Sequence, residues 1–239
     1  MRKKRVWNKI VILTTIFFAV IAKGYENKVV IFPLKKAVLA SKINSVIEKI
    51  NIKEGETFKE GDILVTLENS FYKISYEINQ SKYQYAKKDL ENFVNLFKKN
   101  MVGEMELERA KLEVAIALSD MKIAKENYDA CIIKAPFSGR FVAKAKEMFE
   151  AVRPAEPVCE IIYDKKLLAK TNIKSEDISQ YKIGMKLKIK VDETKTTVEG
   201  VLYSVAAEIH SESRSYEIKI LIDNKDNNLL SGMSGVLLK

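Results

Sequence analysis

Few residues in this chain have the type and spacing that catalysis or metal binding requires. His210 is the one histidine among 239 residues, which gives no basis for a histidine-based triad or a multi-histidine metal site. Acidic residues cluster at 104–108 and 223–226 without the ligand spacing of a calcium loop, and the glycines form no phosphate-binding motif. The sequence therefore predicts a protein that is not an enzyme and binds neither a metal nor a cofactor.

The two cysteines, Cys131 and Cys159, allow two interpretations. In an exported protein they could form a disulfide that closes a loop of about thirty residues. Both lie in apolar, strand-like runs, so the favoured alternative is that they are small buried hydrophobic residues. Their spacing fits no metal-binding motif.

The positive charge of the chain is concentrated at its start. The formal charge is +9, from 41 basic and 32 acidic residues. Six of the basic residues and none of the acidic ones precede residue 24, which leaves 35 bases against 32 acids in the remainder. This distribution is typical of a targeting signal and argues against nucleic-acid binding.

Residues 1–23 combine a basic start, MRKKRVWNK, with an uncharged run over residues 10–22. This run fits the core of a signal peptide better than a membrane span of about 20 residues, although Val6 and Trp7 could extend it into a tilted anchor. A cleaved signal peptide and a retained N-terminal membrane anchor both remain open. Either one predicts an exported body with the positive end in the cytoplasm.

Two stretches far apart in the chain repeat one strand pattern. Residues 45–68 align without gaps with residues 139–162, at a shift of 94 positions. The apolar residues keep their phase in both copies, with Ile47, Phe58 and Leu64 aligned with Phe141, Val152 and Val158. Gly55 and Gly61 mark turns in the first copy. Neither copy can bury its apolar face alone, so we expect the two to close on each other as a small sandwich.

The segment between the copies, residues 70–128, has a helical period. Its second arm carries apolar residues in an unbroken alternation of three and four, namely Leu107, Ala110, Val114, Ala117, Met121, Ala124 and Tyr128. The first arm is expected to bury Phe71, Ile74, Ile78 and Tyr85 and, after one skip, Leu90, Phe93 and Phe97. Residues 98–104 suit a tight turn. The pattern predicts an antiparallel or coiled-coil helix pair whose arms reach roughly 40 Å.

A second apolar row on the second arm consists of Leu112, Ile116 and Ile123. One interpretation is a wider buried stripe, as core-facing helices often have. The other is that these residues pack against a neighbouring copy of the hairpin.

The final third, from about residue 166 to residue 239, returns to strands. KLLAKTNI and KLKIKVD alternate between apolar and polar residues, and further strand-like segments follow them. Short antiparallel strands with one small helix, suggested by SEDISQY, are typical of a compact β-barrel.

The order of these segments resembles the membrane fusion proteins, the periplasmic adaptor subunits of the HlyD and resistance-nodulation-division (RND) kind. The similarity covers nearly all of residues 37–239, with KAPFSGRF at 134–141 and NKDNNLLSGMSGVLL at 224–238 as its motifs. The most specific positions are Ala135, Pro136, Phe137, Gly139, Gly232 and Met233.

The resemblance implies an α+β, mostly β fold. A lipoyl-like (barrel-sandwich hybrid) domain, residues 37–69 and 129–165, is split by the α-helical hairpin of residues 70–128 and followed by a β-barrel at 166–239. It implies an adaptor at the periplasmic side of the inner membrane in a tripartite efflux or secretion system. The expected partners are an inner-membrane transporter of RND or ABC type, an outer-membrane channel that docks at Met101, Val102 and Gly103, and further copies of the chain.

Three departures from the family pattern are present, and the last two keep a second function open. Ser45 stands where the first half of such proteins usually has glycine, which affects one turn. Gly103 stands where many channel-docking tips carry serine. The chain also stops soon after Gly232, where many relatives continue into another domain. The alternative is an exported scaffold or regulatory subunit of an inner-membrane permease that never contacts an outer channel.

A biotinylated or lipoylated carrier domain would have the same half-motif. Such domains present a lysine at the hairpin tip that follows the first half. Here Glu68 is followed by Asn69, Ser70 and Phe71, and the nearest lysine, Lys73, has the pattern of a solvated helix position. The sequence therefore argues against a swinging-arm carrier.

Overall fold

The computed structural model describes residues 27–238, and the predicted segment 1–23 lies outside that range. The described chain divides into two compact units. One, here called the strand unit, consists of residues 35–163 and includes the helical hairpin, and the other, the C-terminal unit, consists of residues 27–34 and 164–238. The prediction of a mostly β, α+β fold with a helical hairpin is confirmed. None of the described helices has the length and apolarity that a membrane crossing requires.

Twelve strands and two long helices make up the described residues. The strands are β1 Lys28–Ala40, β2 Ser45–Ile50, β3 Thr57–Phe58, β4 Ile63–Leu67, β5 Ile132–Lys134, β6 Gly139–Lys144, β7 Ala151–Val152, β8 Pro157–Lys174, β9 Lys186–Val191, β10 Thr197–Val205, β11 Ser215–Asp223 and β12 Ser234–Leu238. The helices are α1 Ser70–Lys98 and α2 Glu104–Asp129, with a short 3-10 helix at Ser175–Gln180.

Both copies of the sequence repeat contribute to the same core of the strand unit. The six aligned apolar residues Ile47, Phe58, Leu64, Phe141, Val152 and Val158 are all buried in it. β5, β4, β2 and β7 form one four-stranded sheet in that order, while β6 pairs with β3 and β8. Each copy therefore pairs one of its strands with the other copy: β7 of the second pairs with β2, and β3 of the first pairs with β6.

Hydrogen bonds repeat at the shift of 94 residues. The backbone N–H of Gly55 donates to Phe141 O at 2.8 Å, and that of Phe149 donates to Ile47 O at 2.8 Å. In each copy a glutamate then caps its own turn: Glu56 accepts from the N–H of residue 53, and Glu150 accepts from the N–H of residue 147. The two copies are thus related by an approximate two-fold axis.

The predicted seam of the second arm is confirmed. Leu107, Ala110, Ala117 and Ala124 are the buried residues of α2. Three of them are alanines at seven-residue spacing, so the backbones of α1 and α2 can approach closely along this line. Near the base of the hairpin, the rings of Tyr76 and Tyr128 stack with centroids 6.2 Å apart.

The predicted seam of the first arm is wrong in its lower half and at its upper end. Five of its predicted residues are exposed, namely Phe71, Ile74, Ile78, Tyr85 and Phe97. The inward face of α1 instead alternates by four and three through Tyr72, Tyr76, Asn79, Tyr83, Ala86, Leu90 and Phe93, of which Ala86 is buried and the others are half-buried. Two of the polar side chains on this face have hydrogen-bond partners. Tyr72 Oη donates to Asn44 O at 2.7 Å, and Asn79 Nδ2 donates to Ser75 O at 2.8 Å.

The C-terminal unit has its own apolar core. Its strands follow the order β1, β12, β9, β10, β11, β8, and β8 pairs with β1. Inward-facing residues alternate with exposed ones, as in β9, where Leu187, Ile189 and Val191 are buried. Thr171 Oγ1 donates to Lys28 O at 2.7 Å between β8 and β1.

Candidate assembly surfaces

The predicted docking residues Met101, Val102 and Gly103 lie together in the turn between α1 and α2. The N–H of Met101 donates to Leu96 O at 3.0 Å and closes the end of α1. Met101 is 68% exposed and Val102 is half-buried. The turn thus presents an apolar side chain at the far end of the hairpin, although Gly103 adds no side chain of its own.

The second apolar row of α2 faces outward. Leu112, Ile116 and Ile123 are exposed, Leu112 by 61%, and Met105 continues the row toward the tip. The interpretation of this row as a wider buried stripe is therefore wrong. Together with Met105, these residues place four large apolar side chains in a line on the exposed side of one helix.

A second exposed row, whose period led us to expect it in the interior, lies on α1. It consists of Phe71, Ile74, Ile78 and Tyr85, with Phe71 exposed by 72%. The seam residues of α1 form their own three-four alternation next to it, and that is the sequence signal that distinguishes the two faces. The hairpin consequently carries one outward apolar row on each helix.

The motif around residue 135 ties the two copies of the repeat together. Ala135 is buried, its N–H donates to Asp62 O at 2.9 Å and its carbonyl accepts from the N–H of Gly61 at 2.9 Å. Pro136 is exposed beside it. The Phe137 ring packs edge-to-face on Tyr163 at 6.4 Å, with Lys35 Nζ 5.8 Å from its centroid.

Gly139 is required by a close approach of two strands. A Cβ on this residue would lie 2.0 Å from the carbonyl oxygen of Ile162. In the first copy the equivalent residue is Ser45, whose Oγ donates to the equivalent carbonyl, Glu68 O, at 2.7 Å. The backbone at Ser45 therefore leaves room for a side chain that Gly139 does not have, and the serine hydroxyl uses this room to form a hydrogen bond.

Gly232 and Met233 pair with β1 in the C-terminal unit. The N–H of Gly232 donates to Ile31 O at 2.8 Å, and Met233 O accepts from the N–H of Ile31 at 2.9 Å. Gly232 has φ +97°, a left-handed conformation that favours glycine. The motif residues at 135–139 and 232–233 hold strands in place, and the structure brings the two groups to separate units.

Both cysteines are buried free thiols in the core of the strand unit. Burial raises the pKa of Cys131 to about 11, with a smaller contribution from Glu68. Burial likewise raises the pKa of Cys159 to about 11. The interpretation as small buried hydrophobic residues is therefore correct. Within residues 27–238, no group of three histidine, cysteine or carboxylate side chains is arranged to hold a metal ion.

Comparison with solved structures locates this architecture among known proteins. A chimera of MacA and MexA that contains the α-hairpin domain of Pseudomonas aeruginosa MexA matches 88% of this chain and 76% of its own, with a TM-score of 0.79 and 18% identity. A membrane fusion protein from Streptococcus pneumoniae R6 matches 88% of this chain and 96% of its own, with a TM-score of 0.71 and 14% identity. This chain has the fold of the membrane fusion proteins. The resemblance stated from the sequence is confirmed.

Sequence comparison gives a more distant picture. No model of a known protein family matches the chain. A curated protein of Haemophilus influenzae, described as uncharacterized, is 19% identical over 203 residues, which are 84% of this chain and 53% of that protein. The chain thus spans about half the length of this relative. A further structure with the membrane fusion fold, MacA from Actinobacillus actinomycetemcomitans, has 17% identity, a TM-score of 0.55 and coverage of 89% and 76% of the two chains.

Proposed function

We propose that the protein is an adaptor subunit of a tripartite efflux or secretion system, which joins an inner-membrane transporter to an outer-membrane channel by oligomeric assembly. The observation that carries the proposal is the hairpin with outward apolar rows on both helices. A helix pair of about 27 residues per arm reaches roughly 40 Å from its base. Coupling two membrane proteins across such a distance needs interfaces and no catalytic group.

Each segment has a part in this proposal. Residues 37–69 and 129–165 form a lipoyl-like domain, residues 70–128 form the hairpin, and residues 166–239 form a β-barrel that contacts the transporter. Residues 1–23 direct export or anchor the chain at the periplasmic face of the inner membrane. The strand order of the C-terminal unit, in which β8 pairs with β1, supports the barrel assignment.

The hairpins are proposed to pack side by side. Leu112, Ile116 and Ile123 of one copy would face the α1 row of the next copy, since rows on opposite helices can serve as the two sides of a head-to-tail contact. Burial of each such side chain contributes about 1.5–3 kcal/mol relative to exposure, before the cost of association. Met101, Val102 and Gly103 would then cluster at the far end and meet the channel.

Purification of the full chain from its native membranes tests the proposal. A transporter of RND or ABC type together with an outer-membrane channel among the co-purifying proteins supports the adaptor. Met101→Asp should remove the channel and leave the transporter, because it places a charge in the apolar tip. A permease without any channel, in the unmodified protein, would instead establish the alternative of a scaffold or regulatory subunit.

A further inference from the structure

Phe149 occupies a backbone conformation that its position in the repeat reserves for glycine. Its φ is +71°, in the left-handed region that large L-residues rarely adopt. At the shift of 94 residues it aligns with Gly55, which has φ +82°. The turn therefore requires a positive φ in both copies, and the fold gives no reason for an aromatic residue in the second.

The Phe149 side chain is 79% exposed, so packing against its own strand unit contributes little to its burial. Met148 beside it is also exposed. Glu150 follows; its carboxylate accepts from the N–H of Glu147 at 3.0 Å and attracts the Lys146 ammonium, without a direct ion pair to any of residues 27–238. Phe149 lies two residues before β7, which is one edge of the sheet β5-β4-β2-β7. This edge thus presents a strained aromatic knob with an adjacent negative charge.

A groove of about 730 Å³ lies at the opposite edge of the same sheet, beside β5. Apolar side chains, among them Val38 and Ile132, line it together with Lys42 and Lys134. Neither lysine forms an ion pair with any of the described residues. The end of α2 adds one more lysine and two carboxylates to the lining, so the lysines outnumber the acidic residues. The groove therefore combines apolar side chains with charged ones and carries a net positive charge.

The backbone of β5 is open on the side of this groove. Cys131 O accepts from the N–H of Leu67, and the N–H of Ala135 donates to Asp62 O, so the odd-numbered residues face β4. Alternate residues of a strand direct their backbone groups to opposite sides. Ile132 and Lys134 consequently turn their N–H and C=O groups away from β4.

We propose that Phe149 of one copy inserts into the β5 groove of a second copy. Phe149 and the groove lie at opposite edges of a four-stranded sheet, about 14 Å apart at the usual strand spacing. Phe149 therefore cannot reach the groove of its own chain. The charges match, with Glu150 beside the knob and Lys42 and Lys134 at the groove. A knob at one edge and a groove at the other make a head-to-tail contact, which closes into a ring when the rotation allows.

This contact explains why a costly conformation is retained at an exposed turn. A positive φ for an aromatic residue is the kind of local strain that clusters at binding surfaces, where a contact offsets it. Buried aromatic side chains that fill a pocket dominate binding at protein interfaces. The inference rests on the oligomeric assembly in the proposed function and names one interface of it, in the strand unit and apart from the hairpin rows.

Cross-linking of two single-cysteine variants tests the contact directly. Full-length Met148→Cys and Val38→Cys proteins, both of which keep Phe149, are mixed and treated with a short bis-maleimide. We expect a cross-linked dimer in the mixture and none in either variant alone or in the unmodified chain, whose own thiols are buried. A product from Met148→Cys alone, or no product from a mixture that is oligomeric by native mass spectrometry, would overturn the inference.

Phe149→Gly separates assembly from folding. It relieves the strain, so the melting temperature of the strand unit should rise or stay unchanged, while self-association weakens by about 30-fold or more. Ala155→Gly is the matched control, because Ala155 also has a positive φ, +66°, at the position equivalent to Gly61, and it should leave association unchanged.

The outcomes distinguish this inference from the proposed function. Unchanged association of Phe149→Gly in an oligomeric protein overturns the knob-and-groove contact and leaves the adaptor role intact. A chain that sediments as a monomer at every concentration overturns both the contact and the ring.

Discussion

Replacement of Gly139 by alanine should destabilise the strand unit far more than an ordinary glycine substitution. The added Cβ would lie 2.0 Å from Ile162 O and 3.0 Å from its carbonyl carbon. Non-bonded carbon and oxygen atoms normally approach no closer than about 3.3 Å, so β6 and β8 must separate by more than about 1 Å.

The magnitude follows from what that separation breaks. Overpacking costs about 1–3 kcal/mol, and each ladder hydrogen bond lost beside the Arg140–Ile162 pair costs about 1 kcal/mol. We expect a loss of about 3–5 kcal/mol, which is a large part of the stability of a typical domain. The melting temperature of the strand unit should fall by at least about 10 °C.

Hydrogen exchange measured by mass spectrometry resolves the two units. Peptides from β6 and β8 should lose protection in Gly139→Ala, while peptides from β9 in the C-terminal unit should keep theirs. Two controls separate the causes. Ser45→Gly, at the equivalent position, should cost only about 1 kcal/mol for its hydrogen bond. Gly55→Ala has no atom within 4 Å of the added Cβ but has φ +82°, and should cost about 1–2 kcal/mol. The reasoning is refuted if Gly139→Ala costs no more than these controls.

Three further predictions concern the hairpin and the thiols. Ala117→Leu should overpack the buried seam and lower the free energy of unfolding by about 1–3 kcal/mol in urea titrations followed by circular dichroism. Ile116→Ser, on the exposed row of the same helix, should change that free energy by less than about 0.5 kcal/mol yet weaken self-association in sedimentation velocity; equal destabilisation by both variants would contradict the assignment of the two faces. Cys131 and Cys159, with pKa values raised to about 11, should resist maleimide labelling at pH 8 until urea is added. The folded state disfavours the thiolate form of both cysteines. Their contribution to stability should therefore be present in full below pH 9 and be lost as the pH rises toward 11. A urea midpoint that increases over this range would count against the burial argument.

The repeat can be recognised from the sequence because turns and strand faces restrict which residue types occur at each position. Positions 47 and 141 must be apolar to fill one core, and a shift of 94 residues therefore aligns them on residue type alone. The left-handed turn residue of the second copy is hidden, however, because Phe149 stands there. Positive φ is a property of the backbone, and a residue other than glycine conceals it from sequence reasoning.

The two arms of the hairpin show the limit of periodicity. On α2 the buried seam is marked by alanines, which only a close helix contact favours, so Ala110 and Ala117 were assigned correctly. On α1 the most apolar row, with Ile74 and Ile78, points outward, because the inward row uses tyrosines. The apolar period alone does not show whether a row is buried within the chain or left exposed.

The sequence alone therefore determined the order of the segments, the helical insertion and the pairing of the two strand copies, since all three follow from local period and turn chemistry. Only the tertiary structure decided which apolar faces are buried and which are exposed. It showed that the α1 row of Phe71, Ile74, Ile78 and Tyr85 is exposed. It also placed Phe149 and the β5 groove at opposite edges of one sheet. The physical reason is that exposure depends on which surfaces the rest of the fold covers, and that is fixed by contacts between residues far apart in the chain.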